Sequence, residues 1–456
     1  MEIYIIGVFI LGYLFITLEH VLKIDKASSA LITGALCWAI VALGGYDLYV
    51  LKHELAEHIS EISEILFFLL GAMTIVELVD SHQGFKIITD RITTKNKIKL
   101  LWVLCFVAFF FSAVLDNLTA AIVMGALLTK MIKDKKDLWF FGGMIIIAAN
   151  AGGAWSPIGD VTTIMLWIDD KVTALNIIQS TIIPSLVCML VPLIYVSLFE
   201  SRGSISLIKE SSEIEHKKNP TTSFERKLVF SLGVLGLLFV PVFKLVTHLP
   251  PYMGMLLSLG TIWIITEILH GSKNHEEKTA LTVSGVVRKI DVPTIFFFLG
   301  ILLAVSSLQT IGTLDSVANS LREMFNGDIF IINLFIGLLS AVVDNVPLVA
   351  GAIKMYPGEV VDSSFWEFLA YCAGTGGSLL IIGSAAGVAI MGILKIDFFW
   401  YLRKIAFLAF IGYVSGAFCY WTLNKQESDT KLKGPEIANE QKGQTQIIDF
   451  DVLYNK

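Results

Sequence analysis

Two six-residue strings in this chain could do chemistry: Ser112-Ala-Val-Leu-Asp116-Asn117 and Ser340-Ala-Val-Val-Asp344-Asn345. Each lies in an apolar run long enough to cross or enter a bilayer, so each puts a carboxylate and an amide where hydrocarbon is expected. An Asp at the centre of a membrane helix costs roughly 2.5–3.5 kcal/mol on insertion scales, and such residues mark ion or substrate pathways. A carboxylate holds either a metal ion or a proton and hardly both. Burial and a neighbouring carboxylate both disfavour its charged form, so protonation competes with a bound cation. Alternating exposure of such a site to the two faces of a membrane would exchange one for the other.

Irregular backbone at membrane depth is tolerated only where protein or a water-filled cavity satisfies its polar groups. Four stretches meet that description. Two are the Asp-Asn strings, and two are glycine-rich breaks: Asn150 to Asp160, and Gly374-Thr-Gly-Gly-Ser378. A hard cation wants oxygen ligands. The first half offers Ser112, Asp116, Asn117, Thr119, Asn150, Ser156, Asp160, Thr162 and Thr163; the second offers Ser340, Asp344, Asn345, Thr375, Ser378 and Ser384. Asp116 and Asp160 weigh equally, and Asp344 is either their partner or a relic of duplication. Blander readings stand beside these. An Asp at a helix end can be only an N-cap, and Gly152-Gly153 and Gly376-Gly377 can serve only close helix packing. Glu77 reads as a solvated acid at a span end, and His53 with His58 as a solvated helix face.

The elements that must position these residues follow from composition. With 55% hydrophobic and 16% charged residues over 456 positions, and a mean hydropathy of +0.72, the chain departs from soluble domains, which are about 25% charged. It reads as an all-α polytopic membrane protein. The net charge of −6 and the placing of charges at segment ends suggest no nucleic-acid surface. The five cysteines lie in apolar runs without a C-x-x-C pair, so no disulfide framework or metal site is expected. Ile3 to Leu18 follows Glu2 rather than a basic region and precedes no small-x-small site, so it is expected to stay as a span.

Apolar runs of about 20 residues mark the spans: 3–18, 27–44, 62–79 and 176–199, then 228–246, 252–269, 293–309 and 399–423. Between them lie two split runs (100–132 and 329–356), two broken helices (138–167 and 365–394) and two amphipathic stretches (84–99 and 313–325). Gly71 matches Gly300, Asp116 matches Asp344 and Gly153 matches Gly377, at offsets of 229, 228 and 224. Landmarks kept in such order point to duplication. The expected layout is a first repeat at 1–200, a cytoplasmic linker at 201–226, a second repeat at 227–423 and a polar tail at 424–456. Each repeat has about five spans plus a re-entrant hairpin and a broken helix. Each crosses an odd number of times, so the repeats are expected to be inverted, as in many secondary transporters. Of the 34 Lys and Arg, 24 fall on one side of this layout. The positive-inside rule then puts both termini outside.

The strings Ser112-Ala-Val-Leu-Asp-Asn-Leu-Thr-Ala, Ala149-Asn-Ala-Gly-Gly-Ala-Trp-Ser-Pro-Ile-Gly-Asp-Val-Thr-Thr, Ser340-Ala-Val-Val-Asp-Asn-Val-Pro and Gly374-Thr-Gly-Gly-Ser together resemble the NhaD-type sodium/proton antiporters of the ion transporter superfamily. The resemblance implies export of sodium and lithium against protons, a role in pH and salt homeostasis, and sodium held at Asp116, Asn117 and Asp160. It implies no cofactor and no enzyme activity. By the same resemblance the chain is a homodimer in a bacterial inner membrane. The wider superfamily tends to show Ser-Asn-Thr at its hairpin tips. Here Asp116-Asn117-Leu118-Thr119 and Asp344-Asn345-Val346-Pro347 would repel an anion, although a carrier of arsenite, citrate or a dicarboxylate is the alternative. The second tip has Pro347 where the first has Thr119, so the two tips need not be equivalent.

Overall fold

The computed structural model describes residues 2–89, 92, 94, 96–199 and 221–424. Most of the expected linker, through residue 220, and the tail beyond residue 424 lie outside the described residues. The first half contains α1 (Glu2–Thr17), α2 (Glu19–Leu22), α3 (Lys26–Leu43), α4 (Leu48–Ser81), α5 (Lys86–Thr89), α6 (Lys97–Leu115), α7 (Asn117–Met131), α8 (Lys135–Gly153), α9 (Val161–Ile168) and α10 (Ala174–Phe199). The second contains α11 (Ser223–Thr247), α12 (Pro251–Leu269), α13 (His275–Leu281), α14 (Val283–Val286), α15 (Val292–Thr310), α16 (Thr313–Met324), α17 (Ile329–Leu339) and α18 (Asn345–Met355), then α19 (Ser364–Gly376), α20 (Ala385–Leu394), α21 (Phe398–Lys404) and α22 (Ala406–Asn424). Eight of the described helices are long and apolar enough to cross a membrane, or nine if α20 and α21 count as one bent span. The chain is an all-α polytopic membrane protein.

Boundaries follow capping chemistry. Asp25 starts α3 by accepting the Ala27 N–H, and Asp134 starts α8 by accepting those of Lys136 and Asp137. Thr222 and Glu225 close a capping box at α11. Two expectations are corrected. Asp47 caps α4 by accepting the Tyr49 and Val50 N–H groups, so this helix begins well before residue 62. His53 on that extension is exposed beside Glu57, but His58 is largely covered and packs on the Trp38 ring, so the solvated reading holds for His53 alone. The run 399–423 is not one helix either. Lys395 ends α20 in a left-handed conformation and Asp397 caps α21, which turns 114° away before α22 begins.

Small residues allow the scaffold helices to touch closely. On α3 and α15, Gly34 and Ala30 lie against Gly300, and Trp38 Nε1 donates to the Leu303 carbonyl at 2.9 Å. Gly412 and Gly416 of α22 lie against the carbonyls of Cys188 and Pro184 on α10. Two apolar clusters result. One gathers α3, α4, α9, α11, α12, α15 and α18; the other gathers α6 to α8, α10 and α20 to α22; α19 packs into both. They meet where the chain breaks between α8 and α9, at the candidate site.

Candidate functional site

Both Asp-Asn strings open a helix, Asp116 at α7 and Asp344 at α18. Asp116 caps α7, its carboxylate accepting the Thr119 N–H at 2.7 Å and the Thr119 hydroxyl at 2.9 Å. Its backbone stands at φ +88, a conformation that costs a residue with a side chain of order 1–3 kcal/mol. Asp344 caps α18 through the Val346 N–H at 3.2 Å, at an unstrained φ of −48. The matching strings therefore fold differently. α6 runs on to Leu115 and turns sharply, whereas α17 stops at Leu339 and turns more gradually. At the second tip the Asp344 N–H donates to the Tyr13 hydroxyl at 2.7 Å.

The broken helices bring further caps to the same place. Asp160 starts α9 by accepting the N–H and hydroxyl of Thr162, both at 2.9 Å, and Thr163 completes a capping box. Ser384 starts α20 by accepting the Gly387 N–H at 3.1 Å. A side-chain carbon on Gly152 would collide with the Phe109 carbonyl, and one on Gly376 with that of Gly337. The glycines thus let α8 lie backbone to backbone against α6, and α19 against α17. Ser112 and Ser340 add the corresponding tie in each half, donating to the carbonyls of Ala149 and Ala373.

At the centre is Asp160, 1% exposed. Asn117 from one hairpin donates to its Oδ2, and Asn345 from the other lies 3.3 Å from both oxygens. Asn117 also donates to Asn150 Oδ1 at 3.2 Å, and Asn150 donates in turn to Ser378 Oγ at 3.0 Å and Ser384 Oγ at 2.8 Å. Four helix N-termini, those of α7, α9, α18 and α20, therefore meet around one buried network. Among the described residues no Lys, Arg or His pairs with Asp116 or Asp160. Asp344, by contrast, has Lys26 Nζ at 3.6 Å from its Oδ2.

Of the fifteen oxygen-bearing residues singled out in the sequence, this network joins Asn117, Asn150, Asp160, Thr162, Asn345, Ser378 and Ser384. Asp116 and Thr119 bond one another at the adjoining tip. The remaining hydroxyls donate to backbone: Ser156 to Ala113, Thr375 to Tyr371 and Thr163 to Asp160. They hold the breaks in shape, as Ser112 and Ser340 do. Sequence reasoning missed Tyr13 and Lys26; the signal for them was Pro347, which lacks the two donors that Thr119 gives Asp116.

Cavities approach this centre from two ends. One, of about 390 Å³, is lined by Glu61, Glu64, Met165, Asp169, Lys244 and Lys354, and reaches Leu302, Val305 and Ser306 on α15. The others, of about 200 and 30 Å³, lie by Pro293 and Thr294 at the start of α15 and by Asp344; Lys26 and Glu19 line both. At about 1.5 Å per residue along a helix, the two groups are separated by most of a bilayer half-thickness. Asp160 lines none of them.

The citrate transporter family model matches residues 8–368. Sodium/proton antiporter 1 of Arabidopsis thaliana is 46% identical over 412 residues, covering 90% of this chain and 70% of that protein. Sodium/proton antiporter 2 of the same plant is 43% identical over 417 residues, covering 90% and 97%. The Na(+)/H(+) antiporter NhaD of Vibrio cholerae is 31% identical over 451 residues, covering 92% and 91%.

Proposed function

The chain belongs to the citrate transporter family, and on that premise we propose that it is a secondary active sodium/proton antiporter, with Asp160 at its exchange site. The observation that carries this reading is a buried carboxylate held by amides from both hairpins, with no basic partner among the described residues. Sodium takes oxygen ligands from Asp160, Asp116, Asn117 and Asn150, and protons take the same carboxylates when sodium leaves. Lithium, close in charge and hardness, follows the same route.

Electrostatics favours a cation over the citrate of the family's name. A helix N-terminus carries roughly half a positive charge, so four of them suit an anion when their caps are neutral. Here three of the four caps are Asp, and Lys26 offsets only one of them. The surplus at the Asp116–Asp160 side is negative, which repels a carboxylate substrate and attracts a monovalent cation.

Alternating access follows from two hairpins that share one centre. In this reading the halves are inverted repeats, the Lys26 cavities face the cytoplasm, the 390 Å³ cavity faces outward, and both termini lie outside a bacterial inner membrane. The chain acts as a homodimer. The test is dequenching of a pH-sensitive dye in everted vesicles on adding sodium, lithium or potassium. Sodium- and lithium-dependent proton movement is expected. Citrate or arsenite uptake without such movement would sink the proposal.

A further inference from the structure

The two hairpin tips satisfy their carboxylates by different means. Asp116 receives an N–H and a hydroxyl from Thr119. The corresponding residue after Asp344 is Pro347, which has neither donor. The vacant oxygen of Asp344 instead faces Lys26 Nζ at 3.6 Å, and both side chains are mostly covered, at 19% and 13% exposure. Asp25 fixes the start of α3 and so the root of this lysine, while the Phe297 ring lies 4.2 Å beneath its ammonium. Lys26 lines both cavities at this end of the molecule, and Asp344 lines the smaller one beside it, so the ion pair borders that cavity directly.

We propose that Lys26 is a resident cation for Asp344: it holds the carboxylate of the second hairpin between ion passages, and a sodium ion entering through the cavity that both residues line must displace it there on its way to Asp160. The inference rests on the antiport reading above. An ammonium carries the same single charge as sodium, and a 3.6 Å ion pair without a short hydrogen bond is one that a small, closely coordinated ion can outcompete. Glu19 and Asp25, which line the second cavity with Lys26, offer the displaced ammonium another partner. Lys26 therefore sets the affinity for sodium from this face and resets the hairpin after each release. It is a positioning residue acting through Asp344.

The experiment measures apparent sodium affinity by sodium-dependent thermal stabilisation in detergent, and sodium-driven proton movement in proteoliposomes, for the full-length protein. Lys26→Gln is expected to tighten apparent sodium binding by about fivefold or more and to slow turnover. Lys26→Arg is expected to weaken binding, because a guanidinium pairs with a carboxylate in two-pronged fashion. With Asp344→Asn present, Lys26→Gln should no longer change the affinity. Unchanged affinity in both single variants, or an equal shift with and without Asp344, overturns the assignment. If Lys26→Gln fails to fold, Lys26→Arg decides alone. Absence of exchange in the unaltered protein would defeat the antiport reading, whereas normal exchange with unmoved affinity defeats only the role of Lys26.

Discussion

Asn345 lies 3.3 Å from both carboxylate oxygens of Asp160, although the two residues are 185 positions apart and belong to different halves of the chain. Asn117 reaches the same carboxylate from the other hairpin. One acid thus reads the position of both hairpins at once. Moving either hairpin changes the ligands of Asp160, which is the coupling an exchanger needs between site occupancy and shape.

Asp160→Asn should abolish sodium-dependent proton movement while leaving the protein folded. Asn caps a helix nearly as well as Asp, but its amide nitrogen replaces an oxygen that accepts from the hairpin asparagines, so a loss of roughly 1–3 kcal/mol is expected. Dye dequenching in vesicles and a melting curve in detergent check the two halves of this statement. Normal exchange in the variant removes Asp160 from the mechanism.

Asp116 separates strain from charge. Asp116→Asn removes the charge and should abolish exchange. Asp116→Gly should do the same, yet relieve the positive φ, worth of order 1–3 kcal/mol, while a Gly cap gives up only a few tenths of a kcal/mol. The glycine variant is therefore expected to melt at or above the temperature of the parent. A large drop in melting temperature would show that the backbone here is not strained.

These sites were legible because a polar residue or a glycine pair inside an apolar run is costly and so stands out. Asp116, Asp160 and the two breaks were found that way. The direction of each hydroxyl was not. The hydroxyl hydrogens of Ser112, Ser156 and Ser340 go to backbone carbonyls of neighbouring helices and that of Thr375 to Tyr371 in its own helix, and composition does not reveal which helix lies alongside. The pairing of Lys26 with Asp344 was hidden for the same reason. Lys26 reads as a loop charge on the chain, and only the packing of α3 against α15 brings it to the tip of the second hairpin.

Gly152→Ala and Gly376→Ala test whether hairpin and broken helix must touch. The added methyl would meet a backbone carbonyl, of Phe109 or Gly337, which cannot swing away as a side chain does. Each substitution should destabilise by roughly 1–3 kcal/mol, the usual cost of overpacking, and should impair exchange by pulling the hairpin asparagine off its partner. Wild-type melting together with wild-type exchange would mean that the two backbones are free to separate.

Outside the spans, a buried histidine pair makes stability depend on pH. His82 Nε2 and His270 Nε2 are 2.8 Å apart just beyond the ends of α4 and α12, and His82 Nδ1 lies 2.7 Å from the Leu78 carbonyl. His82 thus donates from Nδ1, and its Nε2 accepts the proton of His270, an arrangement that needs His82 neutral, while His270 Nδ1 lies 3.8 Å from Glu225 Oε1. Burial, with Lys273 nearby, lowers His270 from 6.5 to about 4. The unfolded chain binds a proton on this ring near 6.5 and the folded chain does not until about 4. The contribution to stability is full above pH 6.5 and is lost as the pH falls through that interval. Melting temperature in detergent should therefore drop between pH 7 and pH 4.5, and His270→Gln should drop less. Parallel profiles for parent and variant would show that the pair does not titrate with unfolding.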